Sequence, residues 1–241
     1  MKAKRSLGQN FFVNSNLADY IINVVGKTGS NSVVEIGPGM GFFTQRLTKL
    51  FKNITVVEKD SNLANALKIQ FPNINVLNED FLSVDLTTLD KECIYFGSLP
   101  YNVSKPIIRK IVESGNFNKE SFFIVQKEVA EKYIYREPYS TLSLTTAIYA
   151  KCKKILDISP DSFRPKPNVN SSLISISPSN LNIQNTKLLE ELIHTAFKQP
   201  RKNLHNNLKN SKFEKGSEPF KTYRPAQLDL ESYIEILNLS L

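Results

Sequence analysis

The sequence has little of what a metal centre or a disulfide framework requires. It contains only two cysteines and two histidines in 241 residues. Cys93 and Cys152 lie far apart with no Cys-x-x-Cys spacing, and His194 and His205 belong to no ligand motif. Zinc sites and disulfide scaffolds show such residues clustered at short spacings. The sequence therefore predicts no disulfide framework, no zinc site and no other metal site.

Long apolar segments are also lacking. No stretch approaches the roughly 20 apolar residues that a membrane-spanning helix needs. Lys2, Lys4 and Arg5 resemble the start of a signal peptide, but residues 6–10 (SLGQN) do not continue it with an apolar segment. We therefore expect a cytoplasmic protein.

An excess of positive charge is present instead. Lys and Arg outnumber Asp and Glu by 31 to 23, which is a formal net charge of +8. A basic surface attracts polyanions such as nucleic acid or anionic lipid. A composition of 41% hydrophobic and 22% charged residues is ordinary for a globular protein with one large domain or a domain and a small addition.

Short β-branched segments alternate with segments of helical periodicity over the first 180 residues. Seven strands are predicted at residues 32–36, 54–58, 74–77, 93–96, 122–125, 155–158 and 173–176. Helices are predicted between the first five strands, at residues 42–50, 62–70 and 105–113. This order predicts an α/β fold with a mostly parallel seven-stranded sheet covered on both faces. The Pro-rich link between the last two strands favours an antiparallel strand at the sheet edge.

The pattern changes after Pro178. Residues 187–197 and 230–237 have helical periodicity, and no convincing strand follows residue 186. We therefore predict two domains, an α/β domain over residues 1–179 and a small helical domain over residues 180–241.

A Gly-rich turn directly follows the first predicted strand. Gly37 and Gly39 match a dinucleotide fingerprint, but Phe42 stands where its third glycine is required, which disfavours NAD. Glycines at relative positions 1, 3 and 5, preceded by an acid, resemble the first motif of the class I S-adenosylmethionine-dependent methyltransferases. At the next two strand ends, Glu58 is expected to accept the ribose hydroxyls and Asp80 the adenine amino group of that cofactor. One such feature is common in turns, but three at successive strand ends favour a cofactor site.

The fourth predicted strand ends at the tetrapeptide Ser98-Leu99-Pro100-Tyr101. This segment resembles a motif of the amino-methyltransferase superfamily. In that motif, Asn, Asp or Ser is followed by two residues, the second of which is Pro, and then by an aromatic residue. An exocyclic adenine amine is a poor nucleophile because its lone pair is delocalised into the ring. We expect the Ser98 side chain and the Leu99 carbonyl to accept its N–H groups, and Tyr101 to stack on a flipped-out base. Ser98 is also a predicted cofactor contact.

Together these residues resemble the ribosomal RNA adenine dimethyltransferase family of the KsgA type, over nearly the whole chain. Residues 7–12 (LGQNFF) are similar to the family's N-terminal segment, which implies that Asn10 and Phe12 contact the cofactor. Residues 163–171 (FRPKPNVNS) are similar to its Phe-x-Pro-x-Pro-x-Val-x-Ser motif, which implies that Phe163 helps to sandwich the target base. The resemblance implies a class I (Rossmann-like) methyltransferase fold.

The related Erm family methylates large-subunit rRNA and shares these motifs, so the C-terminal residues separate the two. Residues 196–208 (AFKQPRKNLHNNL) and 223–228 (YRPAQL) are similar to the KsgA-type patterns. The resemblance implies a pair of adjacent adenosines in a hairpin loop near the 3′ end of small-subunit rRNA as substrate. Each adenosine would receive two methyl groups at N6 during ribosome assembly.

An RNA role for the C-terminal domain also follows from its charge. Residues 192–213 contain five Lys or Arg and no acid. A charged run is often only a solvated helix face. Here we predict phosphate contacts, which strengthen binding without reading sequence. The predicted RNA-binding residues are Lys198, Arg201, Lys202 and Lys209.

Two residues depart from the family pattern. Ser98 stands where the family has Asn, which shortens the reach of the side-chain acceptor by about 1 Å. Pro200 stands where the family usually has Arg, so one potential phosphate contact is lost.

Three hypotheses stay open at this point. The first is an active rRNA adenine N6-dimethyltransferase that uses S-adenosylmethionine and acts on small-subunit rRNA. The second is an assembly factor that binds immature small subunits but transfers methyl groups slowly or not at all, which Ser98 favours. The third is an Erm-like enzyme, which residues 196–208 disfavour. We expect a monomer, because nothing in the sequence indicates otherwise.

Overall fold

The computed structural model describes residues 10–100 and 102–241, which divide into two units. The first contains the described residues up to Glu131 together with Lys153–Pro178, and the second contains Lys132–Cys152 and Ser179–Leu241. All residues after Pro178 belong to the second unit, and the sequence prediction placed the boundary at residue 180. Residues 132–152, which the sequence prediction placed in the first domain, lie in the second unit.

Nine strands are formed within residues 10–100 and 102–241, and the seven predicted ones are all among them. They are β1 (Phe11–Phe12), β2 (Ser32–Ile36), β3 (Asn53–Val57), β4 (Asn75–Leu77), β5 (Ile94–Ser98), β6 (Ser121–Gln126), β7 (Ala150–Ile158), β8 (Phe163–Arg164) and β9 (Ser171–Pro178). Seven of them form one sheet in the order β4-β3-β2-β5-β6-β9-β7, and β1 pairs with β8 in a separate two-stranded sheet. The predicted seven-stranded sheet is therefore confirmed.

Parallel pairing brings the carboxyl ends of the central strands to one edge of the sheet. β2 lies between β3 and β5, with Ile36 opposite Val57 and Glu35 opposite Phe96. On one side of β2 lie β3 and then β4, and on the other side lie β5 and then β6. The order of the strands along the chain therefore reverses direction in the sheet at β2. Such a reversal leaves a crevice beyond the strand ends, which is where ligands bind in open α/β sheets.

The antiparallel strand lies inside the sheet. The expectation that it would lie at the edge was wrong. β9 pairs antiparallel with β6 and has β7 as its other neighbour, so β7 forms the edge. Burial explains this order. The first six residues of β9 are all buried, which suits an internal strand, whereas β7 exposes Lys151, Lys153 and Lys154. Lysine on an edge strand opposes pairing with other chains.

Nine α-helices accompany the strands within the described part of the chain. They are α1 (Ser15–Val25), α2 (Thr44–Leu47), α3 (Ser61–Gln70), α4 (Ser104–Val112), α5 (Lys127–Tyr133), α6 (Thr141–Tyr149), α7 (Thr186–Ala196), α8 (Leu204–Leu208) and α9 (Leu230–Ser240). All five predicted helices are present, although α2 is shorter than predicted, and α1, α5, α6 and α8 were not foreseen. None of these helices is both long and apolar enough to cross a bilayer.

Aromatic rings dominate the core of the first unit near the amino end of the described chain. The β1–β8 pair sets Phe12 opposite Phe163, and their ring centroids lie 5.1 Å apart in an edge-to-face arrangement. Phe12 also packs on Phe43, whose ring meets Phe96 of β5 at 5.0 Å. Edge-to-face pairs add about 0.5–1.5 kcal/mol each to the stabilisation from burial. This cluster ties the short β1 strand to the central sheet.

Helices α6 to α9 build the core of the second unit. On α7 the apolar side chains recur at helical spacing, so Leu189, Leu192 and Ile193 are all fully buried. They pack in one cluster with Tyr233 of α9 and with Leu204 of α8. Burying a side chain of this size stabilises the fold by about 1.5–3 kcal/mol. The short α8 is held by this cluster.

Candidate functional site

A cavity of about 470 Å³ opens in the first unit at the carboxyl ends of its parallel strands. Its volume lies within the range of about 300–1,000 Å³ that is usual for small-molecule sites. Nine residues predicted as cofactor or catalytic contacts line it together: Asn10, Phe12, Gly37, Gly39, Glu58, Asp80, Ser98, Leu99 and Phe163. Tyr101 lies outside the described residues, so its role as a stacking ring stays a prediction.

The Gly-rich turn after β2 forms one wall of the cavity. Gly37 and Gly39 have φ values of +65° and +59°, a left-handed conformation that side chains with a Cβ rarely adopt. The Gly37 N–H donates to the Val57 carbonyl at 2.9 Å, which holds the turn against β3. A Cβ added at Gly37 would meet nothing within 4 Å. Because Gly37 lines the cavity, this open space is available to a ligand.

Glu58 follows β3 and is held rigidly beside that turn. Its Oε2 accepts from the Gly39 N–H at 3.1 Å, and its Oε1 accepts from the Asp60 N–H at 2.8 Å. Burial raises the pKa of the Glu58 carboxyl, while the bonds from these N–H groups oppose the rise. A carboxylate has about four lone-pair sites, so each oxygen keeps capacity for a further donor. This geometry suits a pair of ligand hydroxyl groups.

Asp80 follows β4, where it caps a short helix and also lines the cavity. Its Oδ2 accepts from Lys59 Nζ at 2.8 Å, and its Oδ1 accepts from the Leu82 N–H at 2.9 Å, which caps a short 3₁₀ helix. The Lys59 hydrogen bond lowers the pKa of Asp80, and the Leu82 N–H adds to the effect. Asp80 therefore remains an ionised acceptor at neutral pH. Lys59, which also lines the cavity, was not foreseen from the sequence.

Glu35, the acid two residues before Gly37, also lines the cavity and was not predicted as a site residue. Its side chain is only 2% exposed, and the Thr44 hydroxyl donates to its Oε2 at 2.6 Å. Burial raises the pKa of Glu35 from 4.5 to about 8. The signal was present in the sequence, because an acid at this spacing belongs to the motif that the turn resembles.

The end of β5 supplies the predicted catalytic backbone. Ser98 lies opposite Ile124 of β6, and the Leu99 N–H donates to the Ile124 carbonyl at 3.0 Å. The Pro100 carbonyl then accepts from the N–H groups of Val103 and Ser104 as α4 begins. Residues 98–100 are thus fixed from both sides, which places the Ser98 side chain and the Leu99 backbone at the cavity in one defined arrangement.

The two phenylalanines of the β1–β8 pair are more buried than their predicted roles require. Phe12 is 4% exposed and Phe163 is 2% exposed, although both line the cavity. The edge-to-face contact between them occupies part of the surface of each ring. The stacking of Phe163 on a base and the contact of Phe12 with a cofactor stay predictions. Asn10 is half-buried at the same wall.

The four predicted RNA-binding residues all lie on the surface of the second unit. Lys198, Arg201, Lys202 and Lys209 are exposed, and within residues 10–100 and 102–241 none forms an ion pair. Lys212 differs, because its Nζ lies 2.7 Å from a carboxylate oxygen of Glu191. These four cations are therefore not neutralised within the described structure.

Among residues 10–100 and 102–241, no group of three His, Cys, Asp or Glu side chains is arranged to hold a metal ion.

Comparison with known proteins gives a consistent result. Residues 1–240 match the family described as ribosomal RNA adenine dimethylase. The whole chain is 34% identical to Ribosomal RNA small subunit methyltransferase A of Francisella tularensis subsp. tularensis (strain WY96-3418), and covers 94% of that protein. The same protein of Francisella tularensis subsp. novicida (strain U112) is also 34% identical, with the same coverage.

Two solved structures share the fold over nearly the whole chain. One is a dimethyladenosine transferase from Plasmodium falciparum, with 22% identity, a TM-score of 0.82, and coverage of 95% of this chain and 96% of that one. The other is the 23S rRNA methyltransferase ErmE, with 21% identity, a TM-score of 0.75, and coverage of 96% and 100%. At such identities the likeness concerns the fold. The predicted class I methyltransferase fold is confirmed.

Proposed function

Because the chain belongs to the ribosomal RNA adenine dimethylase family, we propose that it methylates N6 of two adjacent adenosines in the 3′-end hairpin of small-subunit rRNA. The methyl donor in this proposal is S-adenosylmethionine. The observation that carries the proposal is that Glu58, Asp80 and the 98–100 backbone line one cavity together. An RNA substrate of this kind agrees with the expected cytoplasmic location.

The residues around the cavity fit S-adenosylmethionine. Glu58 offers fixed acceptors for the two ribose hydroxyls, and Asp80 offers an ionised acceptor for the adenine amino group. The open space at Gly37 allows close approach of the ligand to the backbone. When bound, the cofactor supplies a methyl group activated by attachment to a sulfonium sulfur.

The end of β5 is suited to bind the amine that accepts the methyl group. The Ser98 hydroxyl oxygen and the Leu99 carbonyl would accept the two N–H groups of adenine N6 and favour a pyramidal nitrogen. The hydrogen bond from the Leu99 N–H to Ile124 and the turn at Pro100 hold both acceptors in place before substrate binds. Positioning of this kind supplies a large part of the rate enhancement in such transfers.

The second unit would bind the rRNA. Lys198, Arg201, Lys202 and Lys209 offer positive charge that no acid in the described structure neutralises. Contacts from such residues to phosphate strengthen binding without reading the base sequence. We therefore assign this unit the RNA-binding role predicted for residues 180–241, with helix α6 as an additional part.

The proposal is tested by incubating the protein with methyl-labelled S-adenosylmethionine and undermethylated small ribosomal subunits. Digestion of the rRNA and separation of its nucleosides is expected to give labelled N6,N6-dimethyladenosine. Large subunits serve as the control RNA. No labelled adenosine would overturn the enzymatic proposal, and binding without transfer would favour an assembly factor instead. Label confined to large-subunit RNA would indicate an Erm-like enzyme.

A further inference from the structure

A tight turn connects α7 to α8 and carries two of the predicted RNA contacts. We call residues 199–203 (QPRKN) the RNA-contact loop. The Lys202 N–H donates to the Gln199 carbonyl at 2.9 Å, which closes a four-residue turn. Pro200 occupies the second position of this turn, where its fixed φ is favourable. Arg201 and Lys202 project from the turn as exposed residues.

One side chain outside the loop binds its backbone at several points. The Asn207 Oδ1 accepts from the Gln199 N–H at 2.9 Å. Its Nδ2 donates to the carbonyls of Gln199 at 3.1 Å, Asn203 at 3.2 Å and Lys202 at 3.4 Å. The amide thus uses both its donor and its acceptor capacity on the loop. The Asn207 amide thereby links the backbone of Gln199 to the backbone of Lys202 and Asn203.

Asn207 is itself held in a fixed place. It lies on α8 between Leu204 and Leu208, which are both fully buried in the core of the second unit. The Leu204 N–H also donates to the Tyr223 carbonyl at 2.7 Å. The position of the Asn207 amide is therefore determined by the core, and the loop backbone is determined in turn by the amide.

We propose that Asn207 is a positioning residue for RNA binding, which holds the RNA-contact loop in the conformation that presents Arg201 and Lys202 to the phosphate backbone. This inference rests on the proposed function, because RNA is the partner of the loop. Asn207 acts through the loop and carries no charge of its own. Its effect comes from ordering the loop before RNA binds, so that less freedom is lost on association.

Pro200 gains a role from the same arrangement. Pro200 restricts the turn in the unbound protein, and the Asn207 amide restricts it further. Pro200 and Asn207 therefore restrict the same turn conformation.

The inference is tested with the full-length protein and an unmethylated RNA hairpin whose loop contains two adjacent adenosines. Affinity is measured for Asn207→Ala and for Asn206→Ala, its matched control. Asn206 is the neighbouring exposed asparagine on α8, and its side chain forms no hydrogen bond within the described structure. We expect Asn207→Ala to weaken RNA binding by about three- to tenfold and Asn206→Ala to leave it unchanged.

A double-mutant cycle separates positioning from a general effect on the fold. In a protein that already carries Arg201→Ala and Lys202→Ala, adding Asn207→Ala is expected to change the affinity by less than about twofold. Amide hydrogen exchange at Gln199 provides a second measurement, because loss of the Asn207 acceptor speeds exchange of that N–H. If Asn207→Ala does not fold, Pro200→Ala loosens the same turn and is expected to show the same dependence on Arg201 and Lys202.

The possible failures are distinguishable. Equal affinities of Asn207→Ala and Asn206→Ala would overturn the positioning role, as would a loss that persists in full without Arg201 and Lys202. Wild-type affinity after removal of both cations would show that the loop does not contact RNA and would also overturn it. Absence of binding of the wild-type protein both to the hairpin and to undermethylated small subunits would refute the proposed function itself.

Discussion

Glu35 shows how strongly burial changes a single residue beside the cavity. Among the described residues, its carboxyl accepts one hydrogen bond, from the neutral Thr44 hydroxyl, and the negative charge of Glu58 adds to the rise of its pKa that burial causes. A charged carboxylate in such surroundings is costly, so the proton is retained up to a pKa of about 8. At neutral pH the buried group is therefore mostly uncharged.

This shift predicts that Glu35→Gln becomes increasingly stabilising as pH rises. The pKa of Glu35 is raised by folding from 4.5 to about 8, so its contribution to stability is complete below 4.5 and is lost as pH approaches 8. The loss is at most about 1.4 kcal/mol per pH unit. Gln keeps an acceptor for Thr44 without a titratable proton. Thermal melting between pH 5 and 8 is expected to show a widening difference from wild type.

The control for this prediction is Glu79→Gln, at an exposed position beside the same cavity. It removes one acidic group outside the protein interior. A difference between Glu35→Gln and wild type that stays constant with pH would contradict the prediction.

Asp80 and Asp85 form a matched pair for testing cofactor contact. Each caps a short 3₁₀ helix by accepting an N–H at 2.9 Å, but only Asp80 lines the cavity. Replacement by Ala is expected to cost similar stability at both positions, about 1 kcal/mol. Binding of S-adenosylmethionine, measured by calorimetry, is expected to weaken about tenfold or more only in Asp80→Ala, through loss of a charged hydrogen bond. Equal affinities in the two variants would remove Asp80 from the cofactor site.

Ser98 lines the cavity at a position where the resemblance implies Asn. We expect Ser98→Asn to leave RNA binding unchanged and to preserve or raise turnover, because the longer side chain restores reach toward the target amine. Turnover is measured by methyl incorporation into small-subunit rRNA, and RNA affinity is measured on the same samples. A large loss of turnover at unchanged affinity would show that the site is adapted to serine.

At the scale of secondary structure, the close approach of β5 to β2 sets the position of the predicted catalytic backbone. Gly97 precedes Ser98, and a Cβ there would lie 2.8 Å from the Ile36 carbonyl oxygen and 2.8 Å from Leu99 Cδ2. Backbone cannot move away from such a contact without shifting a strand. The absence of a side chain at this position therefore lets the strand end reach the cavity.

Gly97→Ala is accordingly expected to destabilise the protein by about 1–3 kcal/mol, as other overpacked substitutions do. Denaturant unfolding measures this change. Ser98→Ala, one residue later, adds no atom to the structure and serves as the control. Wild-type stability in Gly97→Ala would show that β2 and β5 adapt freely to the added methyl group.

At the scale of the whole molecule, the two proposed activities lie on different units. The cavity is lined entirely by residues of the first unit, whereas the predicted RNA contacts lie in the second. Substitutions of the cations in the second unit are therefore expected to weaken RNA binding and to leave cofactor affinity unchanged. Affinity for S-adenosylmethionine and affinity for RNA can be measured separately on each variant.

Lys202 and Lys212 test this separation. Lys212 is neutralised by Glu191, whereas Lys202 has no acidic partner in the described structure. If Lys202 contacts phosphate, Lys202→Ala is expected to reduce the salt dependence of RNA binding by about 0.7 in the slope of log K against log salt concentration. Lys212→Ala is expected to change the slope less, and neither variant to alter cofactor affinity. Equal slopes for the two variants would contradict the assignment.

Patterns in the sequence predicted seven of the nine strands in the described residues, the Gly-rich turn and the acids at the strand ends. These features depend on local preferences, because β-branched residues favour strands and glycine permits positive φ within a few residues of chain. The parallel order then brought Gly37, Glu58, Asp80 and Ser98 to one edge, as expected for an α/β fold. The family was also evident from short motifs.

Features that depend on contacts between distant residues became visible only in the folded structure. Strand pairing is not local, so the place of β9 between β6 and β7 could not be deduced from the order of elements along the chain. The pKa of Glu35 depends on burial beneath several elements, and residues 132–152 join the second unit through packing with helices that follow much later. The hold of Asn207 on the RNA-contact loop likewise arises only once α8 is anchored in its core, because the core fixes the amide in space.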